Sequence, residues 1–251
     1  MPETVRPDPR GPAKKTSVPL SRRLERILSM IRPAELLADI GTDHAYVPIE
    51  AVKRGLCGRA LACDVVPGPL VHAAENIAAA GCSDRIEIRR GDGLKVLGED
   101  RPQCIVIAGM GGALMGRILW EGWDKTDNDT QLVLSPQSEW MEFRTFLTEH
   151  HWKIRREAMV EEEGKYYLIL DCAFDPDMDA EHESAELRYG DAESYAPEDL
   201  SVRRAYIEKD LKNAGSIIRQ LEGNDSAAAV LRRRELESLM EDARRALGEN
   251  Q

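Results

Sequence analysis

Apolar positions recur along the chain in two rhythms, one helical and one extended. Residues 22–31 place Leu24, Ile27, Leu28 and Ile31 on a single helical stripe, with Ser21 positioned to cap it. Beyond it, short apolar runs predict strands over 36–40, 60–63, 104–108 and 131–134, and apolar–charged alternation predicts another over 85–90. Helical spacing fills the gaps: 45–54 ended by Gly55, 70–80 ended by Gly81, then 113–120 and 140–150. Residues 153–160 and 166–174 flank the polar turn Glu161-Glu162-Glu163-Gly164-Lys165, which signals a hairpin. Strand–helix alternation at this spacing predicts an α/β fold, with a parallel sheet covered by helices on both faces. The hairpin supplies an antiparallel strand.

The rhythm changes after a polar stretch. Val202, Ala205, Tyr206, Leu211, Ala214, Ile218 and Leu221 form one helical stripe, and Gly223-Asn224-Asp225 breaks it. A second stripe runs through Ala228, Leu231, Leu236, Leu239, Ala243 and Leu247, and stops at Gly248. These predict an antiparallel helical hairpin with arms of roughly 33 Å. The pattern fits both a pair packed on the main domain and a projecting coiled coil. The expected organisation is a disordered lead-in over 1–19, an α/β domain over 20–174, an acidic linker over 175–200 and the hairpin over 201–247.

Composition adds limits. A length of 251 residues suits one large domain, or one medium domain with an appendage. Aromatics are only 5%, so the core must rest on aliphatic residues, which the 42% hydrophobic content supports. No run of about 18 apolar residues exists, so no membrane span is expected. The N-terminus lacks the apolar segment of a secretory signal. Cys57, Cys63, Cys82, Cys104 and Cys172 form no C-x-x-C pair, and the five histidines show no metal spacing. Reduced thiols, a cytoplasmic location and no bound metal are expected. The net charge of -11 is concentrated: residues 175–200 hold ten acids and one base. Such local concentration leaves a nucleic-acid partner open.

The chemistry gathers at predicted strand ends. The first strand runs into Asp39-Ile40-Gly41-Thr42-Asp43-His44, and the glycine lets a ligand approach the backbone. The full G-x-G-x-x-G fingerprint is absent, which disfavours a dinucleotide and favours a cofactor without phosphates. Asp64 closes the second strand, where a carboxylate can accept both hydroxyls of a ribose. Asp92, within Gly91-Asp92-Gly93-Leu94, follows the third, placed to accept from an exocyclic adenine amine. Each acid alone suits an ordinary turn. Three acids on three successive strands suit an adenosyl ligand lying across them, which points to S-adenosylmethionine. Ala108-Gly109-Met110-Gly111-Gly112 after the fourth strand brings backbone close to something, and Ser135-Pro136-Gln137 after the fifth lines the same cleft.

The segments ADIGTDHAY, VPIEAVKRG, CDVVPGPL, GDGL, IAGMGG, LSPQ and EEEGKYYLIL together resemble, in order, the bacterial tRNA (adenine(22)-N1)-methyltransferase family. The resemblance runs from about residue 20 to 174 and continues through the hairpin. Gln137 stands where family members often carry Asn. The resemblance implies a class I methyltransferase, Rossmann-like sheet plus hairpin, that methylates N1 of adenine 22 in tRNA and acts as a monomer. It implies a cofactor set of Asp39, Gly41, Thr42, His44, Asp64, Asp92, Gly93, Leu94, Ala108 and Met110. Adenine N1 carries a free lone pair, so catalysis reduces to positioning and to stabilising developing positive charge. Asp43, the backbone at Gly109 and Met110, and the Gln137 amide are the candidate acceptors. His44 and Tyr46 are placed either to orient the base or to pack. Base flipping is expected, with Arg22, Arg23, Arg26, Arg232, Arg233 and Arg234 as phosphate candidates. Competing readings are a class I methyltransferase on another RNA, a small molecule or a protein, and a non-catalytic RNA-binding scaffold.

Overall fold

The computed structural model describes residues 20–178 and 182–248. The lead-in expected over 1–19 lies outside the described residues. Seven strands form one sheet in the order β3-β2-β1-β4-β5-β7-β6. They are β1 (Ala34–Ile40), β2 (Cys57–Asp64), β3 (Ile86–Arg90), β4 (Cys104–Ala108), β5 (Gln131–Ser135), β6 (Trp152–Glu162) and β7 (Lys165–Phe174). The first five are parallel, and β7 runs antiparallel between β5 and β6. The hairpin turn is shorter than the expected five residues. Glu162 pairs with Lys165, leaving Glu163 and Gly164, both at positive φ, as a two-residue turn.

Both faces of the sheet are covered, so its central strands are apolar throughout rather than alternating with polar residues. On one face α1 (Arg22–Met30), α2 (Tyr46–Lys53) and α3 (Pro67–Ala79) bury Ile27, Val52 and Ile77 against Leu37, Val106 and Val133. On the other, α4 (Gly112–Glu121) and α5 (Trp140–Glu149) bury Met115, Leu119, Phe143 and Leu147 against Ile40, Ile107 and Leu134. Each such aliphatic side chain, fully buried, contributes about 1.5–3 kcal/mol. Ser21 caps α1 as expected, its hydroxyl accepting from the Leu24 N–H at 3.2 Å. No described helix is long and apolar enough to cross a membrane.

The acidic stretch behaves differently from a linker over its described part. It forms α6 (Ser184–Tyr189) and buries Tyr189 and Tyr195. The anchor is a buried ion pair, Arg144 of α5 with Glu157 of β6 at 2.6 Å. Glu157 also accepts from the Tyr195 hydroxyl at 3.0 Å, and Arg144 donates to the carbonyls of Leu187 and Arg188. At this anchor the stretch is thus held through its backbone and Tyr195, not through its acidic side chains.

The hairpin consists of α7 (Leu200–Gln220) and α8 (Ala227–Ala246). Its base is fixed. Arg203 donates to the carbonyls of Tyr189, Gly190 and Ala246, and Arg188 pairs with Asp242 at 2.9 Å. Further out, Arg233 donates to the Leu221 and Asn224 carbonyls and so closes the hairpin on itself. The arms are therefore packed on the main domain at the base, and Arg233 ties α8 to the interhelical turn.

Candidate active site

The carboxyl ends of β1, β2, β4 and β5 open onto a cavity of about 540 Å³. After β1 the chain turns sharply: the N–H groups of Gly41 and Thr42 both donate to the Cys63 carbonyl, at 2.8 and 2.9 Å. Gly41 has φ +80°, and a Cβ there would overlap the Met110 methyl. The turn enters α2 through Ala45 at φ +56°, a left-handed conformation that a non-glycine residue holds only under surrounding constraint. After β4, Gly109 has φ +88° and donates its N–H to the Ser135 carbonyl at 3.2 Å. The Gln137 N–H in turn donates to the Met110 carbonyl at 2.8 Å, tying the two loops together.

Three carboxylates line this space: Asp43 at its mouth, and Asp39 and Asp64 at the strand ends. Asp39 is buried, and burial pushes its carboxyl up to about 6. Thr42 approaches it and pulls the other way, while the nearby Asp64 charge adds to the rise. The Thr42 hydroxyl is itself buried, and apart from its approach to Asp39, which falls short of a well-formed hydrogen bond, it has no partner in the protein. A buried orphan hydroxyl beside a desolvated carboxylate is a site built for a polar ligand. Asp64 uses one oxygen to accept from the Val66 N–H at 2.6 Å. The glycine walls, the paired acids and the orphan hydroxyl fit a nucleoside-type cofactor.

Of the residues expected from sequence, Asp39, Gly41, Thr42, Asp43, His44, Asp64, Ala108, Gly109 and Gln137 line this one cavity. Asp43 and His44 sit 3.3 Å apart at its mouth, with the His44 ring 5.4 Å from Tyr46. Met110 lies against Gly41, outside the lining. Asp92 is exposed at the end of β3, one strand beyond the lining, and Gly93 packs near Ile118. The Leu94 side chain is buried in the core, so only its backbone faces outward chemistry.

Sequence reasoning missed Arg23 as a cavity residue. It was expected to meet phosphate; instead it lines the cleft, donates to Ser135 Oγ at 3.3 Å and lies 5.2 Å from the Tyr167 ring centre. Burial lowers its pKa from the ordinary guanidinium value. Arg22 and Arg26 are also engaged within the fold, with Glu161–Glu162 and with Asp199. No local pattern could separate these roles, because all three partners lie more than a hundred residues away. The five cysteines are buried and free, and burial pushes Cys57 up to about 11 and Cys63 to about 12, which makes them poor nucleophiles. Among the described residues, no cluster of three His, Cys, Asp or Glu side chains is arranged to hold a metal ion.

This strand order, with a cleft at the carboxyl ends of the parallel strands and no G-x-G-x-x-G loop, is that of the Rossmann-like fold that class I methyltransferases share. The family described as "Methyltransferase domain" matches residues 20–170. The tRNA (adenine(22)-N(1))-methyltransferase of Bacillus subtilis (strain 168) is 36% identical over 171 residues, 68% of this chain and 71% of that one. The crystal structure of the B. subtilis M1A22 tRNA methyltransferase TrmK superposes with a TM-score of 0.78 at 29% identity, covering 91% of this chain and 98% of that one. A Streptococcus pneumoniae protein, provisionally assigned as a tRNA (m1A22) methyltransferase and solved with S-adenosyl-L-methionine, gives 0.75 at 32% identity, over 91% of this chain and 99% of that one. The chain belongs to the tRNA (adenine(22)-N(1))-methyltransferase family.

Proposed function

We propose that this protein methylates N1 of adenine 22 in tRNA, using S-adenosylmethionine. The observation that carries the reading is the cleft itself: glycine-walled, without a phosphate cradle, and acidic at two adjacent strand ends. Relatives named for this reaction support it. Bound there, S-adenosylmethionine supplies an electrophilic methyl group. Asp64 is placed to accept from ribose hydroxyls, and Asp39 with Thr42 to hold polar groups deeper in the cleft. Asp92, with the Gly93 and Leu94 backbone, extends the acidic rim toward an adenine amine.

Adenine N1 needs no general base, so the chain's task is to orient the ring and offset its growing positive charge. The Met110 carbonyl already accepts from Gln137. The Gln137 side chain, Asp43 and the Gly109 backbone are therefore the acceptors we assign. We assign cofactor binding to residues 20–174 and tRNA capture to the hairpin. The same reading takes the chain as a monomer and places it in the reducing cytoplasm that its free thiols suit.

The test is methyl transfer from labelled S-adenosylmethionine to unmodified bacterial tRNA, with the product located by mass spectrometry. The expected product is 1-methyladenosine at position 22. Tight cofactor binding without transfer to tRNA would move the search to other acceptors.

A further inference from the structure

A second cavity, of about 840 Å³, adjoins the cleft, and Gln137 lines both. Its walls come from the start of α5, the β6–β7 turn and the first half of α7. Three half-buried aromatic rings stand in a row along it. The ring centres of Trp140 and Tyr206 are 5.0 Å apart, and those of Tyr206 and Tyr166 are 5.3 Å apart. The row is held in place: Trp140 Nε1 donates to the Pro136 carbonyl at 3.0 Å, which fixes the indole at the cavity wall. Lys209 Nζ stands 4.9 Å from the Tyr166 ring centre while donating to the Gly164 carbonyl at 3.3 Å. This wall thus already accommodates a cation over an aromatic face. Asp210 lines the same cavity and accepts from the Tyr189 hydroxyl at 3.4 Å.

In a chain with only 5% aromatics, four aromatic residues at one cavity beside the cofactor cleft, Tyr167 and the three of the row, call for a function. We propose that this cavity receives the flipped-out acceptor adenine, held against the mutually tilted Trp140, Tyr206 and Tyr166 rings with its N1 edge turned toward Gln137. The inference rests on the tRNA-methylation reading above. An adenine drawn out of folded RNA loses its stacking partners, and an aromatic row replaces them. The volume falls within the range of roughly 300–1,000 Å³ for small-ligand pockets. Methylation at N1 makes the ring a cation, which aromatic faces favour. Trp140 and Tyr166 belong to the sheet domain while Tyr206 belongs to α7. The pocket is therefore complete only when the base of the hairpin is seated, which couples tRNA capture to catalysis.

Trp140→Leu and Tyr166→Leu test this in the full chain; both residues lie outside the cofactor cleft, and both changes retain apolar bulk. The methylation rate at saturating tRNA should fall about tenfold in each, the scale of one lost base–aromatic stack. Affinity for S-adenosylmethionine, measured by calorimetry, should stay unchanged. With 2-aminopurine in place of adenine 22, the wild type should quench the bound probe and both Leu variants should leave it brighter. Trp140→Phe should restore rate and quenching. Leu variants with wild-type rate and wild-type quenching would overturn the pocket and leave the methyltransferase reading standing. A matching loss of cofactor affinity would overturn it as well, since the rings would then be structural. Absence of any transfer to tRNA by the wild type would remove the underlying reading, and this inference with it.

Discussion

Two regions at the same rim of the sheet are built on opposite principles. The cofactor cleft depends on two positions where side chains are left out: Gly41 and Gly109 sit at positive φ and line it. The seam that attaches the hairpin is made by putting charge and aromatic rings in. Arg144 and Glu157 are fully paired underground, Tyr195 closes over them, and Gly190 is a glycine because a Cβ would strike the Glu157 carboxylate. The first region stores unmet polar capacity, in Asp39 and Thr42, for a ligand to satisfy. The second pairs Arg144, Glu157 and Tyr195 with one another and so holds two parts of the chain together.

The contrast breaks most sharply at the seam. Arg144→Leu leaves Glu157 buried and unpaired, and should destabilise the protein by about 3–5 kcal/mol in urea denaturation. Cofactor affinity of the folded fraction should be unaffected, since neither residue lines the cleft.

Asp39 gives the reverse response. Its folded pKa is held at about 6, above the ordinary carboxylate value. The ionised form therefore opposes folding above that pH, and the opposition fades as the pH falls through about 6 toward about 4. Asp39→Asn should stabilise the ligand-free protein by roughly 2–3 kcal/mol near pH 8 and by little near pH 4. The same change should weaken S-adenosylmethionine binding in calorimetry. Equal stability of the two proteins across that range would show that Asp39 is not desolvated in solution.

Gly41→Ala probes the glycine wall. Left-handed backbone disfavours a Cβ by about 1–2 kcal/mol, so cofactor affinity should fall on the order of tenfold. Adding Met110→Ala removes the side-chain overlap but not the backbone strain, so recovery should be partial.

The smallest effect belongs to the hairpin. Arg234 is exposed on α8, and Arg234→Ala should reduce the salt dependence of tRNA binding by about one counterion without changing cofactor affinity. A salt slope equal to the wild type would take this arginine out of the RNA contact.

Much of this design was legible in the chain. The five parallel strands, the hairpin of strands and the paired helices all follow from apolar spacing, with β4 matching its predicted bounds at 104–108. Boundaries elsewhere moved by one to three residues, since strands extend as far as a neighbour offers hydrogen bonds; Cys57–Arg59 of β2 pairs onward with β1. Asp39, Asp64 and the glycines of the cleft were legible because a parallel sheet gathers its strand ends on one rim, whereas Asp92, also expected there, lies outside the lining. The arginines of α1 were not, because each takes its role from a distant partner: Arg23 from Ser135 and Tyr167, Arg26 from Asp199. Nor was the aromatic row, whose rings come from residues 140, 166 and 206, on three separate elements.

The sequence by itself determined the layered sheet, the hairpin and the glycine- and acid-marked strand ends. Periodicity and turn chemistry are local, and a parallel sheet converts strand ends into one rim without further instruction. Only the tertiary structure decided which charges are satisfied and which stand open. A charge's role depends on its partners and on its burial, and both are set by chain segments that meet only when the fold closes.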